Sequence, residues 1–232
     1  MCPVAEASAR LAVAGGEARG AVFTRREVVE CILDLVGYTA EAPLPRLRLL
    51  EPSFGGGDFL LPAIERLLTA WACNATRTPG TPGGPGVTDP VADLSGAIRA
   101  VELHRETFES TRGKVVARLV QRGLDPGAAT ALAGRWLIQG DFLLADVGGP
   151  FDRVVGNPPY VRQELVPEAL MAEYRARYAT IYDRADLYIP FLERSLTLLR
   201  PGGRLGVICS DRWLKNRYGG PLREFVSRGF HL

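Results

Sequence analysis

The residues best suited to chemistry are grouped in short segments. Asn157-Pro158-Pro159-Tyr160 is the most distinctive. Two consecutive prolines stiffen a turn, so the Asn157 side chain and the Pro158 carbonyl become fixed acceptors. Two acceptors aimed at one NH2 group draw it out of conjugation with its ring and free the nitrogen lone pair for attack. Tyr160 offers a flat face on which a base can stack. Upstream stands Glu51-Pro52-Ser53-Phe54-Gly55-Gly56-Gly57-Asp58-Phe59-Leu60. Its glycines allow a sharp turn and close approach of a ligand to the backbone. It is not a dinucleotide fingerprint, because Leu60 stands where the last glycine would fall, and no Gly-Lys-Ser/Thr follows to make a P-loop. Read alone, a structural turn remains open. Glu102 is placed to hydrogen-bond both hydroxyls of a ribose. Asp141 can accept from an adenine amine and Phe142 can cover the ring. Each acid alone is more often a helix cap or a surface charge; their recurrence at successive strand ends points to binding.

Those positions depend on the elements that carry them. Residues 24–37 read as a helix, with a capping box at Thr24–Glu27, apolar residues at helical spacing and a stop at Gly37. Strands are expected at 47–50, 98–103, 136–139, 153–155 and 205–209. Helices are expected at about 59–72, 105–122, 126–134, 167–178, from 187 to before Pro201, and 221–228, with Pro190 in a first turn where a missing N–H is tolerated. Strands alternating with helices predict an α/β, doubly wound, mostly parallel sheet. Ligands of such sheets bind beyond the carboxyl ends of the strands, where every segment named above falls. Residues 1–20 read as a flexible N-terminal arm, residues 21–232 as one catalytic domain, and the Pro/Gly-rich stretch 76–89 as an insertion loop.

Composition narrows the function classes. The 232 residues are 47% hydrophobic and 23% charged, which excludes a mostly disordered chain. No apolar run reaches the ~20 residues that cross a bilayer, and no secretory signal opens the sequence; a cytoplasmic location is expected. The four cysteines form no CxxC pair and the two histidines are far apart, so no metal site is expected and the thiols read as reduced and mostly buried. Net charge is +2, unevenly spread: residues 1–152 carry 15 basic and 18 acidic side chains, residues 153–232 carry 13 and 8. A polyanion would bind the C-terminal third.

Asn157-Pro158-Pro159-Tyr160 resembles the catalytic motif of S-adenosylmethionine-dependent amino-methyltransferases. With the order of the other segments, the chain from Gly20 to Leu232 is similar to the gamma-class N6-adenine DNA methyltransferases of type IIG restriction-modification and phage-defence enzymes. Gly20–Glu27 resembles the motif that precedes the glycine loop in that order, and implies that Phe23 and Thr24 lie at the methionine end of the cofactor. Glu51–Leu60 resembles the first cofactor loop, implying contacts from Glu51, Pro52, Ser53, Gly55, Gly57 and Phe59. Glu102 matches the ribose acid, Asp141-Phe142 the adenine-binding pair, and Ala185–Tyr188 and Leu199–Leu205 later motifs. Phe54 departs from the small residue usual there, and Gly56 and Asp58 from a frequent serine.

The resemblance implies a class I, Rossmann-like fold that binds S-adenosylmethionine without a metal. It implies methyl transfer to N6 of an adenine flipped out of DNA. The same tetrapeptide occurs in methyltransferases of ribosomal RNA adenine and of protein glutamine, which usually carry a separate N-terminal module. A non-catalytic fragment or subunit is the rival of another class. The family has a seven-stranded sheet ending in a β-hairpin; five strands can be read here. The expectation is a chain lacking that hairpin, completed by a C-terminal target-recognition domain or a partner subunit, and inactive alone.

Overall fold

The computed structural model describes residues 2–13, 24–75 and 89–232; Phe23 and most of the stretch 76–89 lie outside the described residues. Five strands, β1 (Leu49–Glu51), β2 (Ile98–Glu102), β3 (Leu137–Gln139), β4 (Phe151–Gly156) and β5 (Leu199–Val207), form one sheet in the order β3-β2-β1-β4-β5, and every neighbouring pair is parallel. The carboxyl ends therefore share one edge of the sheet.

Neighbouring residues on a strand point to opposite faces, so a sheet covered on both sides must be apolar at both. Leu49, Ile98, Ala100 and Val155 enter one core with α2 (Arg26–Leu35), α3 (Leu60–Ala75), α5 (Arg105–Gln121) and α6 (Pro126–Trp136). Leu50, Val101 and Val154 enter the other with α1 (Pro3–Val13), α7 (Glu168–Arg177) and α8 (Tyr188–Thr197). A third cluster joins α8, β5, α9 (Arg212–Lys215) and α10 (Gly220–Gly229).

Several elements differ from the sequence expectation. The first part of the expected N-terminal arm is the helix α1, which buries Ala7 and Leu11 against α7 and α5. Their i, i+4 spacing gives one narrow apolar stripe among Ala and Arg. The expected capping box does not form: α2 starts after Arg25, which makes no side-chain cap, and the Thr24 N–H instead donates to Asp58 Oδ2 at 2.8 Å. The stop is as expected. Gly37 has φ +70°, its N–H bonds the Asp34 carbonyl and the Tyr38 N–H bonds that of Leu33, a Schellman end. A short helix, α4 (Pro90–Leu94), capped by the Asp89 side chain, was not expected. β5 begins at Leu199, because Pro201-Gly202-Gly203 is taken up as a bulge between Phe151↔Leu199 and Arg153↔Arg204. Cys2, Cys31 and Cys73 are exposed and only Cys209 is half-buried, correcting the expectation of buried thiols. Among the described residues no helix is long and apolar enough to cross a membrane, and no group of His, Cys, Asp and Glu could hold a metal.

Candidate functional site

The glycine loop leaves β1 and is held from several sides. The Phe54 N–H bonds the Val101 carbonyl on β2 at 3.0 Å, and the Gly57 N–H turns back to the Phe54 carbonyl at 2.8 Å. Gly57 has φ +93°, which an L side chain rarely adopts. The Phe54 side chain is buried against Phe108, ring centroids 5.9 Å apart, so this departure from the family pattern serves the core. Glu102 ends β2 beside the loop. Its Oε2 accepts from the Gly55 N–H at 2.9 Å and its Oε1 from the His104 N–H at 2.8 Å.

Beyond the ends of β1, β2 and β4 lies a cleft of about 370 Å³. It brings together Thr24, Glu51, Ser53, Gly55, Phe59, Glu102, Asn157 and Pro159 from the expected set. Glu51 is buried at 2% exposure, and its Oε2 has no hydrogen-bond partner among the described residues. Burial, then the neighbouring charges of Asp58 and Glu102, raises its carboxyl well above the ordinary 4.5. A buried carboxylate with two more beside it is a poor arrangement until a cation arrives.

Asn157 follows Gly156 at the end of β4. Its Nδ2 donates to Thr24 Oγ1 at 3.2 Å, and the Thr24 N–H is held by Asp58, so the glycine-loop acid, the start of α2 and Asn157 form one chain of contacts. With Nδ2 turned to Thr24, Oδ1 of the planar amide faces the other way. Tyr160 packs on Tyr188 with ring centroids 5.8 Å apart, and its hydroxyl donates to the Ile208 carbonyl at 3.4 Å. Burial raises its phenol pKa.

The remaining expected residues lie outside the cleft. Pro52 and Pro158 border a small void against Phe191 and Leu192. Phe142 is buried at 2% exposure, packed on Phe191 with the Arg194 guanidinium over its ring, so its ring belongs to the core. Asp141 accepts from the Tyr174 hydroxyl at 2.5 Å and the Leu143 N–H at 2.9 Å. Burial raises its carboxyl pKa, opposed by those hydrogen bonds. Sequence reasoning missed Asp58, Thr111 and Lys114 as cleft-lining side chains. The only signal was the i, i+3 spacing that puts Thr111 and Lys114 on one face of α5.

Residues 101–232 match the Eco57I restriction-modification methylase family, more than half of the chain. The chain belongs to that family. It is 64% identical over 233 residues to the type II methyltransferase M.PaeR7I of Pseudomonas aeruginosa, covering 100% of this chain and 39% of the relative. It is 55% identical over 214 residues to the type II methyltransferase M.XhoI of Xanthomonas vasicola, covering 92% and 38%. The chain thus spans about two fifths of the length of these relatives. Among solved structures, the M protein of the type I restriction enzyme EcoKI is similar in fold, with TM-score 0.57 and 17% identity over 89% of this chain and 38% of that one. The fold is the α/β arrangement of class I S-adenosylmethionine-dependent methyltransferases.

Proposed function

We propose that this chain is the catalytic domain of a restriction-modification DNA methyltransferase that modifies N6 of adenine. The observation that carries the reading is the shared cleft: Asn157 opens onto the same space as Glu51, Glu102 and the glycine loop. Family membership and the basic C-terminal third support DNA as the polymer.

The residues of the cleft fit S-adenosylmethionine, which supplies an electrophilic methyl group. Glu102 would hold the ribose hydroxyls, its carboxylate retaining lone pairs beyond those given to Gly55 and His104. Glu51 suits the cationic end. Asp141, outside this cleft and held by Tyr174, would receive the adenine amine beyond it, and Phe142 would support Asp141 from the core rather than cover the ring. Asn157 Oδ1 and the Pro158 carbonyl would accept both hydrogens of the target amine, directing its lone pair toward the methyl group, while Tyr160 stacks on the flipped base. Positioning and fixed dipoles do the catalytic work, and no covalent nucleophile is required.

Two measurements test the cofactor half. Glu102→Ala is expected to weaken S-adenosylmethionine binding at least tenfold, since charge-assisted hydrogen bonds are worth ~1.5–3 kcal/mol each. Equal affinities by calorimetry would remove Glu102 from the site. The second test is pH. Glu51 has a higher pKa folded than unfolded, so its contribution to stability is fully present below the ordinary carboxylate value and is lost as pH rises through the raised one. A cationic ligand needs the ionised form, so binding should tighten with rising pH across the same window and release a proton. Glu51→Gln should flatten that dependence; a flat profile in the wild type would exclude Glu51.

A further inference from the structure

We infer that Thr111, assisted by Lys114, is a positioning residue that sets the glycine loop for ligand binding, an inference that rests on the cofactor reading above. Thr111 lies on α5, distant in sequence from the loop, and is buried at 1% exposure. Its Oγ1 donates to the Gly55 carbonyl at 2.7 Å, and Lys114 Nζ donates to the Gly56 carbonyl at 3.1 Å. Its Cγ2 also walls Gly57, where an added Cβ would stand 3.2 Å away.

These contacts fix peptide planes. In a trans peptide the carbonyl and the following N–H point in opposite directions. Drawing the Gly55 carbonyl toward α5 turns the Gly56 N–H away from α5, on a residue that lines the cleft. Among the described residues the Gly56 N–H makes no hydrogen bond. The next plane follows the same rule: the Gly56 carbonyl meets Lys114, and the Gly57 N–H points back to Phe54. Glu102 grips the N–H side of Gly55 while Thr111 grips its carbonyl, so the loop is clamped between β2 and α5. The product is one backbone donor presented to an oxygen acceptor of the bound adenosyl ligand. Both side chains border the cleft, and both act by setting the loop through its Gly55 and Gly56 carbonyls.

The test is calorimetry with S-adenosylmethionine on the 232-residue chain, alongside thermal melting. Thr111→Val keeps the volume and removes the donor, leaving a buried carbonyl unpaired, and is expected to raise Kd about tenfold. Thr111→Ser keeps the hydroxyl and should restore Kd to within about twofold. Lys114→Met, at an exposed position, should raise Kd about threefold, the size expected of one modest hydrogen bond. Leu119→Ala, also on α5 but in the core, should lower the melting temperature and leave Kd unchanged, which separates loop positioning from general softening of the helix. If Thr111→Val binds like the wild type while Glu102→Ala is weakened, the inference falls and the cofactor reading stands. If the wild type itself does not bind, both fall. Should Thr111→Val fail to fold, an unchanged Kd for Lys114→Met overturns the clamp.

Discussion

Asn157→Ala is expected to lower methyl transfer by roughly 100- to 1,000-fold in a methylation-competent form of the protein, the usual cost of losing one preorganised polar group at a reacting centre. Cofactor affinity should change little. The amide is tied to Thr24 through Nδ2, and the ribose acid Glu102 and the glycine loop keep their own hydrogen bonds in the variant. The stiff Pro158-Pro159 pair keeps the second acceptor, the Pro158 carbonyl, in place, so the variant should retain base stacking and lose only the geometry that frees the amine lone pair. Asn157→Asp is the more discriminating companion. It keeps an oxygen acceptor but loses the N–H that anchors the side chain to Thr24, so its turnover should fall between wild type and Asn157→Ala. Single-turnover transfer of labelled methyl groups, with Kd measured in parallel, reads both quantities. Near-normal transfer by Asn157→Ala would rule out the proposed mechanism.

The placement of the candidate site residues is legible where it is local. Glu51, the glycine loop, Glu102 and Asn157 each sit at or just past a strand end, and strand ends are marked by where apolar runs stop. Parallel pairing then brings all of them to one edge without further information. What the sequence did not disclose is long-range partnership. Thr111 and Lys114 reach the glycine loop from 56 and 58 residues away, and Tyr174 covers Asp141 from 33 residues away. No local pattern specifies such contacts, since they follow from how α5 and α7 pack on the sheet. Phe142 reads as a ligand-facing aromatic because its neighbour is an acid at a strand end; in the fold it packs on Phe191 beneath Arg194. Residues 1–20 read as a loose arm because Ala, Gly and Arg dilute the stripe; within them Pro3–Val13 forms α1, fixed by docking on α7 rather than by propensity. The cysteines illustrate the weakness of averages: a residue type that is usually buried stands exposed three times here.

The 232-residue chain by itself is expected to give no sequence-specific methylation of duplex DNA and to self-associate. β5 is an edge of the sheet and presents unpaired backbone groups along that side. Beside it runs a groove of about 1440 Å³, lined by Ile32 and Leu35 of α2, by Val36 just after it, by Leu205 and Val207 of β5 and by Phe225 of α10. Leu35, on its lining, is 73% exposed. A bare, apolar edge of this kind pairs with whatever strand is offered, including another copy of itself. The chain spans about two fifths of its relatives' length, and the family resemblance implies a β-hairpin as the element that covers such an edge. The cleft that holds Glu51, Glu102 and the glycine loop does not touch this groove. Cofactor binding should therefore survive, weakened, while transfer fails. Leu35→Lys, which puts a charge on the groove margin far from the cleft, should reduce self-association in sedimentation without restoring activity. Co-expression with the part of M.PaeR7I outside the matched region should raise the melting temperature, give a monodisperse species and restore transfer. A monodisperse 232-residue chain that methylates duplex DNA robustly would show that β5 needs no further strand and that the base pocket is already complete.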